Sequence, residues 1–340
     1  TGESVTVTGL EPGKYYVVEA TAFNGNSGSE NYRDTDSPAS VNFYTLMPEP
    51  VTQTVGIGFS SLGDTSYAVS YTAGDGLSRL VVAKAGGAVD WFPADGTDYA
   101  GENNDIGLAT DLGTGHYLVH RGASPFTLSG LTAATDYHIR IYEYQGTNTT
   151  LNYNTNGAAG NPSNRYALST QPSAHAATFT ATAASDTEID LDWGAATGES
   201  GFVIVRRAGA APTGTPANGV EYSQGDALGD GTVVHVAASA GADTVTDSTS
   251  TSAGTTYYYR IYPYAYDGTP AHATYHYRTA ATVPSDSATT GPAEPATSST
   301  LVSFLPASGS SATVIWTNTG TAAGTIILVK SNAAVDASPA

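Results

Sequence analysis

The chain has 340 residues, of which 40% are hydrophobic and 13% are charged, and its formal net charge is −19. Such an acidic surface repels phosphate backbones and anionic head groups, which argues against nucleic acid and membrane surfaces as partners. The absence of cysteine excludes disulfides and thiolate metal sites. No apolar run approaches the roughly eighteen residues that a membrane-spanning helix needs.

The first segment, residues 1–46, already shows the pattern of the whole chain. In "SVTVTGL", Val5 and Val7 alternate with polar residues, and "YYVVEATAFNG" follows from Tyr15. Period-two alternation punctuated by Gly, Asp, Asn and Pro is typical of short strands. No segment keeps the three-to-four spacing of an amphipathic helix over three turns. The sequence therefore predicts an all-β protein.

The same two patterns recur along the rest of the chain. "YYVVEATAFNG" is followed by "YHIRIYEYQG" from Tyr137 and by "YYYRIYPYAYDG" from Tyr257. Tyr16 and Tyr137 lie 121 positions apart, and Arg140 and Arg260 lie 120 apart. A second, independent set has spacings of 122 and 123 and is anchored on Tyr71, Trp193 and Trp316. Two anchors with nearly one period indicate a tandem repeat.

The repeat predicts four units with short Pro-bearing connectors. Residues 1–46 are the C-terminal half of a repeat, 47–170 and 171–290 are complete repeats, and 291–340 are the N-terminal half of another. The two halves could instead complete each other between successive molecules of a fibre. Together, however, they would lack the counterpart of about 27 residues around "DGTDYAGENNDIG". We therefore expect a window cut from a longer array.

The sequence resembles fibronectin type III domains. "GLEPGKYYVVEATAF" and "GLTAATDYHIRIYEY" are similar to the late-strand signature of that family, and "IDLDWGAA" and "TVIWTN" are similar to its early tryptophan strand. "STSTSAGTTYYYR" lacks the leucine and is the weakest match. The resemblance implies tandem fibronectin type III or immunoglobulin-like β-sandwiches, each with an extended mid-domain insertion. It implies no catalytic residues.

The insertions also suggest where the protein acts. They surround "PADGTDYAGENNDIG" and "ANGVEYSQGDALGDG", and they make these repeats longer than ordinary family units. This longer variant resembles repeats of very large secreted surface proteins of gliding and other type nine-secreting bacteria. The resemblance implies an extracellular or cell-surface location.

Tyrosines crowd the late strand of each repeat. On the family pattern, Tyr257, Tyr259 and Ile261 face inward, and the corner tyrosines at 16, 137 and 257 hydrogen-bond back to nearby backbone. The alternate residues are predicted to cover an exposed sheet face. An exposed row could stabilise the sheet, contact another repeat or fibre strand, or bind a glycan. The candidate row is Tyr142, Tyr144, Tyr262, Tyr264 and Tyr266.

One acidic loop is a candidate for structural calcium. Hard cations bind several oxygens supplied by such a loop, although the spacing does not fit an EF-hand and the equivalent loop of the next repeat keeps fewer carboxylates. The candidate ligands are Asp95, Asp98, Glu102, Asn104 and Asp105. Otherwise these residues solvate a turn, and no other cofactor is expected.

Catalytic chemistry has no motif in the sequence. "GFSSLG" breaks the nucleophile-elbow pattern. His272 and His276 are four apart, but they lie in strand or loop with no third ligand nearby, so we expect no zinc site. Asn148 begins a lone glycosylation sequon, "NTT".

The sequence thus predicts a non-enzymatic structural segment of an extracellular or cell-surface filament or adhesin. Its expected partners are neighbouring repeats, identical chains in a fibre and surface glycans. Two alternatives stay open: repeats that themselves grip a glycan or a protein, and spacer modules of a secreted multidomain enzyme.

Overall fold

The computed structural model describes residues 4–26, 28–33, 35, 37–318, 322–331 and 335. Within them the regular structure consists of strands and two 3-10 turns, and no helix is long and apolar enough to cross a bilayer. The N-terminal part holds two antiparallel pairs, β1 with β4 and β2 with β3. These strands are β1 (Tyr15–Ala20), β2 (Phe23–Asn24), β3 (Asn31–Tyr32) and β4 (Ala39–Tyr44).

The strands that follow, up to Tyr166, form what we call the first sandwich. β5, β6 and β10 make a three-stranded sheet, and the remaining strands make a larger sheet around β7 and β11. A 3-10 turn spans Asn148–Thr150. The strands are β5 (Val55–Ser60), β6 (Ser66–Thr72), β7 (Ser78–Ala85), β8 (Thr110–Asp111), β9 (His116–Arg121), β10 (Phe126–Ser129), β11 (Asp136–Gln145), β12 (Asn152–Tyr153) and β13 (Ser163–Tyr166).

The second sandwich repeats this plan with different sequence. β14, β15 and β19 form the smaller sheet, and a larger sheet surrounds β16 and β20. The second 3-10 turn spans Pro270–His272. The strands are β14 (Phe179–Ala183), β15 (Ile189–Trp193), β16 (Gly201–Ala208), β17 (Ala227–Leu228), β18 (Gly231–Ala237), β19 (Asp243–Asp247), β20 (Thr256–Ala265), β21 (His276–Tyr277) and β22 (Ser285–Thr289).

A hairpin follows the second sandwich. It consists of β23 (Thr300–Ser308) and β24 (Ser311–Thr317), paired antiparallel. The repeat boundaries at residues 47, 171 and 291 stay predictions, because the strands alone do not fix where one unit ends.

The strand order confirms the predicted fold class. In the first sandwich the chain runs β5 and β6 in the small sheet, β7 and β9 in the large one, back to β10, and again across to β11 and β13. Every pairing between these strands is antiparallel. The second sandwich follows the same course through β14 to β22. This alternation between two packed antiparallel sheets is that of a fibronectin type III-like sandwich.

The predicted inward-facing residues fill the space between the sheets. Tyr257, Tyr259 and Ile261 are buried against Trp193, whose side chain is only 1% exposed. The equivalent residues of β11 make the corresponding core of the first sandwich. Because strand side chains alternate between faces, one apolar set per strand is enough to build this core.

The corner tyrosines form the predicted hydrogen bonds. A backbone N–H five residues earlier donates to the phenol oxygen of Tyr16 at 2.9 Å, of Tyr137 at 2.8 Å and of Tyr257 at 2.9 Å. The bond of Tyr257 forms although its turn lacks the leucine of the other two. The corner therefore depends on the tyrosine and the turn length, not on the leucine.

One expectation about these strands is wrong. Tyr142 and Tyr262 are fully buried, and Tyr144 and Tyr264 are 6% and 3% exposed, so these four do not lie on an open sheet face. Each outer face is covered by a second apolar layer made by other parts of the same sandwich. Only Tyr266 of the predicted row is partly exposed.

Replacing Tyr137 or Tyr257 by Phe tests the corner. Each change leaves a backbone N–H without its partner, so we expect the free energy of unfolding of the affected sandwich to fall by about 1–2 kcal/mol. Urea unfolding in a Trp316→Phe background follows the summed fluorescence of Trp91 and Trp193, one in each sandwich, so the destabilised sandwich unfolds as an earlier step. Tyr258→Phe, on the other face of β20, is the matched control, and an equal loss there would contradict the role of the corner.

Candidate functional site

The long connection between the third and fourth main strands shapes the surface of each sandwich. It comprises residues 86–115 between β7 and β9 and residues 209–230 between β16 and β18. Both connections lie over the outer face of the larger sheet, where Trp91, Tyr99 and Leu112 pack on the first outer layer and Tyr222 packs on the second. The insertion is therefore a cover for the sheet.

A short motif shared by the two connections holds this cover in place. "PADGTDY" (93–99) and "PANGVEY" (216–222) each end in a tyrosine whose hydroxyl accepts a hydrogen bond from the backbone five residues earlier, at 3.0 and 3.1 Å. The N–H of Gly96 donates to the carbonyl of Leu151 at 2.8 Å, and that of Gly219 donates to Tyr275 at 2.7 Å. Both glycines have positive φ, which a side chain rarely tolerates. Comparing the two repeats at this motif would have revealed the second corner from sequence.

Asp95 is part of this anchorage. Its Oδ1 accepts a hydrogen bond from the N–H of Tyr153 at 2.8 Å. In the second sandwich Asn218 accepts from the N–H of Tyr277 in the same way, at 3.1 Å. An uncharged amide thus performs the same task, so the task of Asp95 is to accept a backbone hydrogen bond.

The other predicted calcium ligands also have separate roles. Asn104 Oδ1 lies 3.0 Å from His120 Nδ1, and Asp105 Oδ1 accepts from the N–H of Gly107 at 3.0 Å. Glu102 is exposed. Across the described ranges, no three Asp, Glu or His side chains are grouped so that they could hold a metal ion. The structure does not bring the five candidates together, because each turn uses its own acceptor locally.

Asp98 belongs instead to an arginine site on the first outer layer. Arg121 Nη1 lies 3.0 Å from Asp98 Oδ1 and donates to the carbonyl of Tyr99 at 2.9 Å. Its Nη2 donates to the hydroxyl of Tyr144 at 2.9 Å, and its guanidinium carbon lies 5.3 Å from the centre of that ring. Burial lowers the pKa of Arg121, but Tyr144 and Asp98 outweigh burial and leave the pKa raised. The guanidinium is thereby held as a cation among aromatic rings.

The second outer layer contains a small cavity, which we call the tyrosine pocket. Its volume is about 110 Å³. Tyr266 and Tyr275 stack with their ring centres 5.0 Å apart and their planes 4° apart. The pocket is lined by Tyr222, Tyr264, Tyr266, Tyr275 and Tyr277, with the exposed Glu221 at its edge. Of the row predicted to bind a ligand or a neighbour, Tyr264 and Tyr266 thus line a cavity, and the role of Tyr266 stays a prediction.

The two histidines lie at the end of the second sandwich that meets the first. His276 Nδ1 lies 2.8 Å from the carbonyl of Ser169, and His272 Nδ1 lies 2.5 Å from Asp267 Oδ2. The ring of His272 also stacks on Tyr166 at 4.0 Å. The contacts with Ser169 and Tyr166 connect the second sandwich to its connector and to the first sandwich. Asn148 starts the exposed 3-10 turn of the first sandwich, and its glycosylation stays a prediction.

Sequence reasoning missed a buried carboxylate, that of Glu143. Its side chain is fully buried and lies 3.1 Å from Arg79 Nε. It also accepts hydrogen bonds from the hydroxyl of Thr54 at 2.5 Å and from the N–H groups of Gly74 and Gly76 at 2.7 and 3.1 Å. Three of these donors bond Oε1 and one bonds Oε2, all from the same sandwich, so the carboxylate is structural. The signal was its inward position in β11, two residues after Ile141.

Comparison with known proteins adds little to this geometry. No family model and no curated protein matches the sequence. The chain is similar to a structure of the FN1–FN3 domains of chicken CNTN1, with 12% identity and a TM-score of 0.36 over 83% of this chain and 79% of that one. It is also similar to a segment of two fibronectin type III domains from chicken tenascin, with 11% identity and a TM-score of 0.25 over 62% of this chain and 90% of that one. Both scores are low, so the fold assignment rests on the strand order of the chain itself.

Glu143→Gln tests the buried carboxylate. The amide cannot accept from all four donors, and Arg79 loses its counter-charge in a dry environment. We expect the first sandwich to lose about 3–5 kcal/mol of unfolding free energy, the range for breaking a buried ion pair on one side. Urea unfolding in the Trp316→Phe background measures the loss as an earlier step in the tryptophan fluorescence. The exposed Glu102→Gln should change stability by less than about 0.5 kcal/mol, and equal effects would contradict the assignment.

The buried tyrosines predict an alkaline limit to stability. Burial raises the pKa of Tyr71, Tyr142 and Tyr264 to about 12, against an ordinary value of 10.0. Because the folded pKa lies above the unfolded one, their contribution to stability is complete below pH 10 and is lost as the pH rises through 12. We expect the urea midpoint to fall across this interval. Tyrosinate absorbance that titrates in one step near pH 10 on a folded chain would contradict this.

Proposed function

We propose that the chain is a non-enzymatic structural segment of an extracellular or cell-surface filament or adhesin. Consecutive repeats and identical chains in a fibre are its partners. The observation that carries the proposal is the way the connector between the sandwiches is bound along its length to the second one.

The connector pairs with the outer edge of the second sandwich. The N–H of Ser169 donates to the carbonyl of Thr274 at 3.0 Å, and Gln171 Nε2 donates to the carbonyl of Tyr277 at 2.9 Å. From the first sandwich, Arg165 Nη2 donates to the carbonyl of Ala273 at 3.0 Å. Each bond fixes part of a segment that would otherwise be a free hinge.

The connector before the first sandwich is bound in the same way. The N–H of Met47 donates to the carbonyl of Thr150 at 2.9 Å, and its carbonyl accepts from Asn152 Nδ2 at 2.8 Å. Asn154 Nδ2 donates to the carbonyl of Pro50 at 2.9 Å. The binding of the connector is thus a feature of the repeat, as expected for an array whose stability comes from each unit and its nearest neighbours.

The buried ionic groups support a mechanical role over a catalytic one. Glu143 is held by four donors from its own sandwich. In the second sandwich, the buried Asp247 accepts two hydrogen bonds from Arg206 Nη1, at 3.0 and 2.8 Å, and one from the hydroxyl of Tyr259 at 2.9 Å. Both carboxylates serve their cores, so neither is available to act on a substrate. The net charge of −19 keeps copies of such a segment from aggregating indiscriminately.

A second candidate function is adhesion through the repeats themselves, to a protein or a glycan. The tyrosine pocket favours it, since a half-polar aromatic surface with one carboxylate is suited to recognition.

The bound connector predicts a fixed angle between the sandwiches. Because the chain has no native cysteine, spin labels on Thr127→Cys and Asp192→Cys report one distance between the two sandwiches. We expect a narrow distance distribution and an elongated particle in small-angle scattering. Adding Arg165→Ala and His272→Ala should broaden the distribution, whereas Glu102→Ala should not. A broad distance distribution in the chain without these alanine changes, or a compact particle in small-angle scattering, would contradict the proposal.

A further inference from the structure

One position on the outer face of the larger sheet carries an arginine in the first sandwich and a valine in the second. Leu80 of β7 and Val203 of β16 are equivalent, since each pairs with the seventh residue of the ten-residue strand beside it. On the opposite side Leu80 pairs with Arg121, and Val203 pairs with Val236. Val236 therefore occupies the place of the arginine in the first sandwich.

The surroundings of that arginine are kept although the arginine is not. In the first sandwich the guanidinium contacts the Asp98 carboxylate, the Tyr99 carbonyl and the Tyr144 phenol. Aligning "GTDY" with "GVEY", and β11 with β20, gives the equivalent residues of the second sandwich: Glu221, Tyr222 and Tyr264. A carboxylate and two tyrosines thus remain around a site that has lost its cation.

The tyrosine pocket lies at this site and is more aromatic than its counterpart. Tyr275 stands where the first sandwich has Leu151, because each carbonyl accepts from the glycine of the shared motif. Tyr264 and Tyr275 have ring centres 5.6 Å apart, and Tyr266 stacks on Tyr275. Aromatic faces around a cavity, with a carboxylate at the edge, favour an organic cation.

We propose that the tyrosine pocket accepts an arginine side chain from a basic segment of a partner protein. The guanidinium stacks over the Tyr264 ring at the pocket, as Arg121 does over Tyr144, and its N–H groups donate to Glu221. Arginine suits the site better than lysine because its planar fork both stacks on rings and pairs with a carboxylate.

Charge supports this choice of occupant. The net charge of −19 attracts basic segments over a distance. Burial, followed by the nearby Glu221, raises the pKa of Tyr275, so the phenol stays neutral and Glu221 supplies the negative charge of the pocket. An arginine therefore meets one counter-charge and a neutral aromatic wall, the same combination that holds Arg121.

Titration of the full chain with tetra-arginine tests the proposal, with binding followed by calorimetry and by the NMR signals of the tyrosine rings. We expect one saturable site. Glu221→Gln should weaken binding about tenfold, and tetra-lysine should bind more weakly than tetra-arginine. Glu102→Gln removes the same charge from an exposed position in the first sandwich and should leave affinity within about twofold.

Two further variants use the internal comparison. Val236→Arg places an arginine in the pocket from within the chain, so tetra-arginine should no longer bind there and the second sandwich should become more stable. Arg121→Val should open a matching site in the first sandwich and raise the stoichiometry from one to two. Circular dichroism checks that each variant is folded.

Each result decides for or against the pocket. Loss of the site in Val236→Arg, together with the difference between Glu221→Gln and Glu102→Gln, supports it. Absence of saturable binding in the parent chain overturns it, and so does binding that Val236→Arg leaves intact. If Val236→Arg does not fold, equal affinities of the two glutamine variants overturn it by themselves. None of these outcomes depends on whether the chain forms filaments.

Discussion

The hydrogen bond from a motif glycine to the far end of the same sheet is the interaction on which each sandwich depends. Gly96 reaches Leu151 and Gly219 reaches Tyr275, so a long connection is fastened across the outer face of the larger sheet. That sheet is then buried on both sides, and its tyrosines form a second core. Without the fastening, the connection would be a surface loop and the tyrosines would face water.

Because the larger sheet of each sandwich is buried on both sides, any charged group inside the sandwich needs a partner there. Among the described residues two carboxylates are buried, those of Glu143 and Asp247, and each pairs with a single arginine. The two sandwiches place their buried ion pair at different positions. The first pairs Glu143 with Arg79, whereas the second has Pro263 opposite Phe202 at the same positions. The second places its own buried pair elsewhere, at Arg206 and Asp247. The repeat conserves geometry while the polar interior varies.

The sequence allowed the strands, the sandwich class, the inward faces and the corner tyrosines to be predicted, because each depends on contacts between near neighbours in the chain. Tyr137, for example, needs only a turn five residues long. The burial of Tyr142 and Tyr262 could not be predicted in this way. Alternation separates two faces of a strand, but it does not say what lies on the second face, and here the cover comes from residues distant in sequence. The hydrogen bond between Asp95 and Tyr153 could not be predicted for a similar reason, since the two residues are 58 positions apart.

The different polar interiors have a consequence for assembly on the ribosome. Neighbouring repeats with the same strand order are prone to exchange strands while they fold. If β11 and β20 changed places, the carboxylate of Glu143 would face the ring of Phe202. Arg79 would face Pro263, which has no anionic group to pair with the guanidinium. Such a hybrid leaves two ions unpaired in a dry interior. The difference at this one pair therefore disfavours exchange of β11 and β20 between the two sandwiches.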